Sequence, residues 1–429
     1  MFKVFANAWK IEDLRKKLLF TAFIILLFRL GTKIPVPFLD TTALSELFAS
    51  YTTGNNIFSF LNLMGGGAME SAGFLSLSIS PYINASIIMQ LLAVAIPALE
   101  RKMKEDGGQK FMDKWTRILT IGLALILGFG YYTVLKNAQN VVDSKVGAFG
   151  AIVITFAFAA GAMVVMWLGD LINDNGIGNG ISMILFAGIV AEIPDFIKTS
   201  IALEQSNATS WIVLAIIVIV LLLMIAFVVF MTNGERRIPV QYAKKVVGRK
   251  MYGGQNTNIP LKVNMTGVLP IIFAQSFVML PATIANFFPK LQEGWFGKVV
   301  NALNVGGWAY TLIMFLLIIF FSYFYTVITF NPIEVASNLK KNGGFIMGIR
   351  PGKPTSDYIT KTLNRVTLIG ALFLALVSAV PSFIAMFNTN LRSLAIGGTS
   401  ILIVVGVALE TVKTLESQML MRHYKGFLE

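Results

Sequence analysis

Few side chains in this sequence could take part in a chemical reaction. Asp170 and Asp174 stand one helical turn apart at the end of an apolar stretch; an aspartyl hydrolase needs two facing carboxylates, but a polar boundary explains the pair more simply. A nucleophilic serine would need a nearby base, and the single histidine, His423, lies in a charged tail. The chain has no cysteine, which excludes disulfides, thiol chemistry and Cys/His metal sites. We therefore expect neither an enzyme nor a bound cofactor or metal.

Two glycine-containing motifs invite comparison with nucleotide-binding loops, and both lack an essential part. The motif RPGK, residues 350–353, has Met347 where a phosphate-binding loop needs glycine and Pro354 where it needs serine or threonine. The motif GIGNG, residues 176–180, lacks the preceding strand of a dinucleotide fingerprint. Both motifs are interpreted as turns.

The composition places the chain in a membrane. Of its 429 residues, 55% are hydrophobic and 13% are charged, and the mean hydropathy is +0.72, which is outside the range of soluble globular proteins. A spanning helix needs about 20 mostly apolar residues, and the sequence contains ten such stretches. We place them near residues 18–36, 74–97, 116–135, 149–169, 181–200, 211–232, 267–288, 309–330, 363–385 and 396–415.

The distribution of basic residues predicts the orientation. Most of the 35 lysines and arginines lie at the two ends of the chain and in the alternate loops on the same side, so both termini are expected in the cytoplasm. Five spans lie within residues 18–203 and five within residues 204–415. Each half then crosses the membrane an odd number of times, which predicts two inverted, pseudo-symmetric halves. Residues 1–17 are interpreted as a cytoplasmic amphipathic N-terminus and residues 416–429 as a cytoplasmic tail.

Two long basic loops are predicted on the cytoplasmic side, at residues 233–266 and 331–362. Residues 238–242 alternate in the manner of a strand and are followed by glycine and asparagine turns, which favours a protruding hairpin. The second loop begins with a helix-capable run after Asn331 and ends near the proline-flanked Arg350. Both loops are suited to contact a partner in the cytoplasm.

The apolar spans contain few polar side chains, and their pattern leaves two functions open. A secondary transporter for a small solute would need a charged or coordinating group at the membrane midplane, whereas Arg29 lies close enough to the end of its span to snorkel outward. Serine, asparagine and glutamine residues punctuate the second and seventh spans, where they could form ordinary interhelical hydrogen bonds or line a seam that separates. A transporter is kept as the alternative to a channel.

Eight segments, in order along essentially the whole chain, resemble the SecY family of bacterial protein-conducting channels. They are FRLGTKIPVP (28–37), ISPYINASIIMQLL (79–92), NGIGNGISMILFAGIV (175–190), ERRIPVQYAKK (235–245), LKVNMTGVLPIIFAQS (261–276), LPATIA (280–285), NPIEVASNLKKNGGFIMGIRPGKPT (331–355) and GGTSILIVV (397–405). The resemblance implies an all-α polytopic membrane protein. Its ten transmembrane helices should form two pseudo-symmetric inverted five-helix halves, which make an hourglass channel for unfolded secretory polypeptides with a plug helix at about residues 57–73.

The resemblance also assigns residues to the parts of such a channel. A ring of aliphatic side chains should seal the waist, formed by Ile79, Ile83, Ile181, Leu185, Leu269, Ile272 and Ile403. A short, weakly anchored plug helix should close the outer funnel and swing away, and it includes Gly65, Gly66, Gly67, Ala68, Met69, Glu70 and Ser71. The halves should part at a lateral gate that releases membrane segments into lipid, and this gate includes Ser86, Ile87, Gln90, Gln275 and Ser276.

The expected partners follow from the resemblance and from charge. The family implies two small membrane subunits, SecE and SecG, and docking of the ATPase SecA or the ribosome at the basic loops, with secretory preproteins and signal peptides as clients. Basic side chains neutralise the phosphates of ribosomal RNA. The expected contact residues are Arg236, Arg237, Lys244, Lys245, Arg249, Lys250, Lys340, Lys341, Arg350 and Lys353. The resemblance places the chain in the lipid bilayer of the bacterial plasma membrane.

Overall fold

The fold consists mainly of helices, and short strands lie in two of the connecting segments. The computed structural model describes residues 2–44, 65–105, 107–137, 141–142, 147–205, 210–242, 245–247, 250–252, 256–287, 294–303, 307–387 and 398–425.

Helices of the first half follow the predicted apolar stretches. They are α1 (Phe2–Lys10), α2 (Glu12–Gly31), α3 (Ser80–Ala95), α4 (Pro97–Lys104), α5 (Gly108–Asn137), α6 (Gly147–Asn175), α7 (Gly180–Ala191) and α8 (Ile193–Gln205). The chain bends by 108° between α3 and α4. The bend follows from Pro97, which keeps the preceding Ile96 in an extended conformation and starts a new helix.

The second half begins with α9 and contains all the strands. Its elements are α9 (Trp211–Asn233), β1 (Glu235–Tyr242), β2 (Lys245–Val247), β3 (Lys250–Tyr252), β4 (Asn256–Lys262), α10 (Leu269–Phe287), α11 (Trp295–Ala302), α12 (Trp308–Thr329), α13 (Pro332–Lys341), β5 (Gly344–Ile346), α14 (Lys353–Phe387) and α15 (Gly398–Lys425). The Asn331 side chain caps α13 by accepting from the amides of Ile333 and Glu334. The helix-capable run predicted after Asn331 is therefore confirmed.

Several helices are suited to cross a membrane. Six helical stretches of the described residues are long and apolar enough, or seven if the bent pair α3 and α4 is one span. The six are Gly108–Lys136, Gly147–Asn175, Gly180–Lys198, Trp211–Asn233, Trp308–Lys341 and Lys353–Phe383. The remaining predicted spans coincide with α2, α10 and α15, which are shorter in their apolar part or more charged. A multi-pass helical membrane protein is confirmed, and the number ten stays a prediction.

A single large apolar cluster joins helices of both halves. It contains Phe28 of α2, Ile87 of α3, Leu185 of α7, Phe273 of α10 and Phe321 of α12, and we call it the central cluster. A second, outer cluster lies within the first half, around Val36, Met69, Tyr131 and Phe158. The first half therefore has packing of its own, while the central cluster fixes the two halves against each other.

The two basic loops are joined by a small sheet with strand order β4-β1-β5. Strand β1 pairs antiparallel with β4, with Ile238 opposite Ile259, and antiparallel with β5, with Val240 opposite Ile346. Strands β2 and β3 form a separate antiparallel hairpin. The predicted hairpin in the first loop is confirmed, and its pairing with the second loop is an additional feature. The sheet packs its apolar face against α13 and the start of α14, through Leu339 and Ile359.

Candidate functional site

The aliphatic residues predicted to form a ring are mostly brought together. Ile79, Ile83, Leu185, Ile272 and Ile403 are each less than 8% exposed and belong to the central cluster. Ile181 is partly buried and packs against the same cluster. Leu269, the first residue of α10, is 43% exposed and lies outside the cluster. Six of the seven residues, contributed by α3, α7, α10 and α15, therefore belong to the central cluster or pack against it.

These six aliphatic residues in or against the central cluster can act as a seal. Their side chains are branched aliphatics, so they offer no hydrogen bonds to water or ions. A narrow apolar constriction excludes water, and flexible aliphatic side chains can rearrange around a larger guest. The members come from α3 and α7 in the first half and from α10 and α15 in the second. A small separation of the halves would open such a seal.

The segment predicted as a plug helix differs from the expectation. Residues 65–73 form a series of turns, and residues 57–64 lie outside the described part of the chain. Gly66 and Gly67 have positive φ angles of 63° and 76°, and Ala72 follows with 48°. A right-handed helix cannot contain such residues, which is why the glycine-rich sequence folds as turns. The expectation of a helix is therefore wrong for residues 65–73.

The same segment is also firmly held, whereas weak anchoring was expected. The Val36 amide donates to the carbonyl of Ala72 (2.9 Å), and the Phe74 amide donates to the carbonyl of Ile34 (2.7 Å). The Tyr131 hydroxyl of α5 donates to the Met69 carbonyl (3.1 Å).

Most of the predicted plug residues are inaccessible to solvent. Gly65, Gly66, Ala68 and Met69 are buried, Gly67 and Ser71 are half-buried, and Glu70 is exposed. Residues 65–73, which we call the outer segment, are thus an integral part of the first half.

Arg29 has a partner that the sequence did not identify. Its guanidinium Nη1 donates to the Gly66 carbonyl of the outer segment. The Glu192 carboxylate, just after α7, lies over Gly67 and interacts electrostatically with Arg29. A charged side chain within an apolar span is costly unless it is paired. A peptide carbonyl and a nearby carboxylate offer the guanidinium strong, charge-assisted interactions. The structure thus identifies a specific partner for Arg29, and snorkelling stays a prediction.

The predicted gate residues surround a hydrogen bond that was not predicted. Gln90 of α3 donates to the Ser86 hydroxyl (3.0 Å) and accepts a hydrogen bond from the Tyr325 hydroxyl of α12. Tyr325 is 5% exposed and packs edge-on against Phe273, with ring centroids 4.8 Å apart. A tyrosine within an apolar span needs a partner for its hydroxyl. That rule could have flagged Tyr325 in the sequence, although it could not have identified Gln90.

The other gate residues lie on both sides of this contact. Ile87 is 3% exposed and belongs to the central cluster, and Ser276 is half-buried. Gln275 of α10 is 5% exposed, and its side-chain Oε1 has no hydrogen-bond partner among the described residues. Polar contacts between transmembrane helices are individually weak. The interface between α3 and the pair α10 and α12 is thus built from exchangeable contacts.

The predicted docking residues are displayed on the two joined loops. Arg236, Arg237, Lys340, Lys341, Arg350 and Lys353 are exposed. Arg237 is paired with Glu235 at 2.6 Å. Lys245 and Lys250 lie in the β2–β3 hairpin, and Lys244 and Arg249 lie outside the described residues.

The loop that carries Arg350 is held by hydrogen bonds to its own backbone. The Ile349 amide donates to the Ile346 carbonyl (3.0 Å), and the Thr355 hydroxyl donates to the Arg350 carbonyl (2.8 Å). Gly348 and Gly352, on either side, have φ angles of 80° and 106°, which other residues rarely adopt. These hydrogen bonds and glycine conformations define the backbone around Arg350, whose side chain is exposed.

These features define a class of protein: a polytopic helical membrane channel with a buried apolar cluster shared by its two halves and two basic loops joined by a sheet. The family model for SecY matches residues 73–412, and the chain belongs to the SecY family. It is 44% identical over 441 residues to the protein translocase subunit SecY of Streptomyces coelicolor and 40% identical over 446 residues to that of Mycobacterium leprae. Both alignments cover 100% of each chain. The chain is the protein-conducting channel subunit of the Sec translocase.

Solved structures agree on the fold. A SecY channel whose plug domain is described as stabilising the closed state and maintaining a membrane seal has a TM-score of 0.68 at 17% identity, covering 94% of this chain and 92% of that one. Canine Sec61, solved in a ribosome-channel complex from the endoplasmic reticulum, has a TM-score of 0.63 at 16% identity with the same coverage. The fold of a protein-conducting channel is therefore shared across distant sequences.

Proposed function

We propose that this channel subunit carries unfolded secretory polypeptides through the ring of Ile79, Ile83, Ile181, Leu185, Ile272 and Ile403 across the bacterial plasma membrane. The observation that supports this most strongly is the convergence of aliphatic side chains from both halves in one buried cluster. Leu269 stays in the proposed ring as a residue that would reach it on opening, because it precedes Ile272 by one helical turn. The chain then acts without catalysis of its own, and both termini face the cytoplasm.

A stalled secretory precursor should cross-link to the ring. Because the chain has no native cysteine, single Ile83→Cys and Ile272→Cys variants can be tested with a precursor that carries a photoactivatable or thiol-reactive group. Cross-linking is expected at both positions, because both side chains line the path. The measurement is the yield of the cross-linked adduct in membranes that contain the assembled channel.

The matched control is Ile88→Cys on the same helix, where the native side chain is 38% exposed and outside the central cluster. It should give little adduct. If stalling is verified and neither ring position reacts, the proposed path is wrong, and a transporter for small solutes becomes the better interpretation.

The outer segment is proposed to seal the channel from outside, together with residues 57–64. Support comes from its position directly before Leu75 and Ile79, which enter the central cluster. The lateral gate is proposed to lie between α3 and the pair α10 and α12, with Ser86, Ile87, Gln90, Gln275 and Ser276 along it. Exchangeable polar contacts at this interface support a seam that opens toward lipid.

Removing the Tyr325 hydroxyl should make the gate easier to open. Tyr325→Phe keeps the ring and deletes only the hydrogen bond to Gln90. Interhelical hydrogen bonds of this kind contribute about 0.6 kcal/mol, so the gate equilibrium should shift about threefold. We expect a higher export rate for a precursor with a weakened signal sequence and little change for a strong one.

Tyr323→Phe provides the control, because the Tyr323 hydroxyl donates to the Asn364 carbonyl on the opposite side of α12 (3.2 Å). It should leave the dependence on signal strength unchanged. Equal effects of the two variants would mean that loss of a hydroxyl on α12 matters and the contact with Gln90 does not.

The two basic loops, residues 233–266 and 331–362, are proposed to dock SecA and, at other times, the ribosome and its RNA. The sheet supports this proposal because it joins β1 of the first loop, which carries Arg236, to β5 of the second loop, which ends four residues before Arg350. SecE and SecG are proposed as membrane partners on the strength of the family alone. Clients are unfolded preproteins with their signal peptides.

A further inference from the structure

Arg29 lies in a position that sequence reasoning treats as unfavourable. A charged side chain within an apolar span is costly unless it has partners. The guanidinium donates to the Gly66 carbonyl. Gly66 lies in a turn, so its carbonyl oxygen does not accept the backbone hydrogen bond that it would accept in a helix. The pairing gives the guanidinium a hydrogen-bond acceptor, and it links α2 to the outer segment 37 residues further along the chain.

Space around this contact is tightly limited. A Cβ atom added at Gly66 would lie 2.6 Å from the Arg29 Nη1 and 3.1 Å from the Cα of Gly188 in α7. A Cβ at Gly67 would lie 3.0 Å from the Glu192 Oε1. The outer segment is thus enclosed between α2 on one side and the end of α7 on the other.

Additional contacts hold the rest of the segment to the same half. The Ser71 hydroxyl is placed to donate to the carbonyls of Thr32 and Gly67, each 3.0 Å away. Tyr131 holds Met69 from α5, and the ring of Tyr131 packs against Phe158 of α6 at 4.9 Å. All of these partners precede residue 204, so they belong to the first half.

We propose that Arg29 is a positioning residue that fixes the outer segment to the first half, so that residues 65–73 move with this half when the channel opens. The proposal rests on the proposed function, because it concerns how the seal opens. According to this proposal, the outer segment remains docked against α2, α5 and α7 throughout transport. Arg29 is the residue on which that docking depends.

Single cysteines in the otherwise cysteine-free chain can test whether the segment stays docked. Met69→Cys places a thiol at a side chain that is 2% exposed, and Glu70→Cys places one at an exposed neighbour. Labelling by a water-soluble maleimide is measured in the assembled translocase, at rest and with a stalled precursor. The Glu70→Cys variant should react quickly in both states and the Met69→Cys variant slowly in both.

A Gln275→Cys variant reports on opening itself, because Gln275 is 5% exposed in the closed gate. Its labelling should rise when a precursor is stalled. If it does not rise, the proposed gate is wrong, independently of the outer segment. If it rises and the labelling of Met69→Cys rises with it, the segment leaves the first half and the proposal about Arg29 is overturned.

The role of Arg29 is tested by Arg29→Met in the Met69→Cys background at rest. Losing a hydrogen bond from a charged donor should expose the segment more often, and labelling should increase about tenfold. Arg29→Lys keeps a charge and a donor and should restore most of the protection. Unchanged labelling in Arg29→Met would overturn the proposal.

A second pair of variants perturbs the contact without removing the charge. Gly66→Ala forces a methyl group against the Arg29 guanidinium and should raise labelling of the Met69→Cys variant in the same way. Gly147→Ala at the start of α6 is the matched control, because Gly147 also has a positive φ, of 53°, and a Cβ there meets nothing within 4 Å. Equal labelling in these two variants would show that the Arg29–Gly66 contact does not hold the segment.

Discussion

Arg350→Glu should slow export driven by the proposed partner SecA at least about tenfold, while the amount of assembled channel stays normal. The side chain is exposed on a loop held by the Ile349–Ile346 and Thr355–Arg350 hydrogen bonds, so its guanidinium can be presented in a fixed direction. A guanidinium pairs with a carboxylate through two parallel hydrogen bonds, and a glutamate at the same place repels that partner. Disruption of such a charge pair at an interface costs enough to slow transport at least about tenfold.

The measurement is ATP-dependent uptake of a precursor into inverted membrane vesicles, together with the affinity of SecA for the same vesicles. Arg350→Lys should give an intermediate rate, because it keeps the charge and loses the fork. Lys361→Glu is the control: Lys361 is an exposed residue of α14, and it carries the same change of charge outside the loop. Full export by Arg350→Glu in a normally assembled channel would remove Arg350 from the docking surface.

Ile83→Asn should make the resting channel leak ions. Ile83 is 7% exposed within the central cluster, and an amide at that position offers water the hydrogen bonds that aliphatic side chains lack. A polar group of this kind binds water with a free energy of a few kcal/mol, so the hydrated fraction of the constriction should rise at least about tenfold. Conductance per assembled channel in planar bilayers is the quantity to measure.

Two variants make this result specific to the ring. Ile83→Val keeps an aliphatic side chain and should preserve the seal. Ile88→Asn places the same amide five residues later on α3, where the native side chain is exposed and outside the central cluster. A leak of the same size in Ile88→Asn, or no leak in Ile83→Asn, would show that the central cluster is not the barrier to ions.

Hydropathy and local capping were sufficient to predict most helices. The predicted stretch 211–232 matches α9, Trp211–Asn233, whose most apolar window has a mean hydropathy of 3.7. The stretch 363–385 lies inside α14, which begins ten residues earlier at Lys353. Hydropathy reports which residues prefer lipid, whereas the start of a helix is set by local backbone chemistry, here the turn at Pro351 and Gly352 and the proline at the second helical position.

The family resemblance gave the ring positions, and packing decided which of them are buried. Ile83 and Ile272 belong to the central cluster, whereas Leu269 at the start of α10 is exposed. The outer segment shows the limit of such reasoning more clearly. It was expected to be a weakly anchored helix, but the positive φ angles of its glycines prevent a helix and let the backbone approach Arg29 and Gly188 closely.

The sequence by itself determined that the chain is a multi-pass helical membrane protein with two basic loops, because hydropathy, charge and capping act between neighbours a few residues apart. The tertiary structure decided which distant groups pair: Arg29 with Gly66, Gln90 with Tyr325, and β1 with β5. A polar group in an apolar interior must find a hydrogen-bond partner wherever the packing of helices places one. That choice depends on three-dimensional proximity, which no local pattern of residues records.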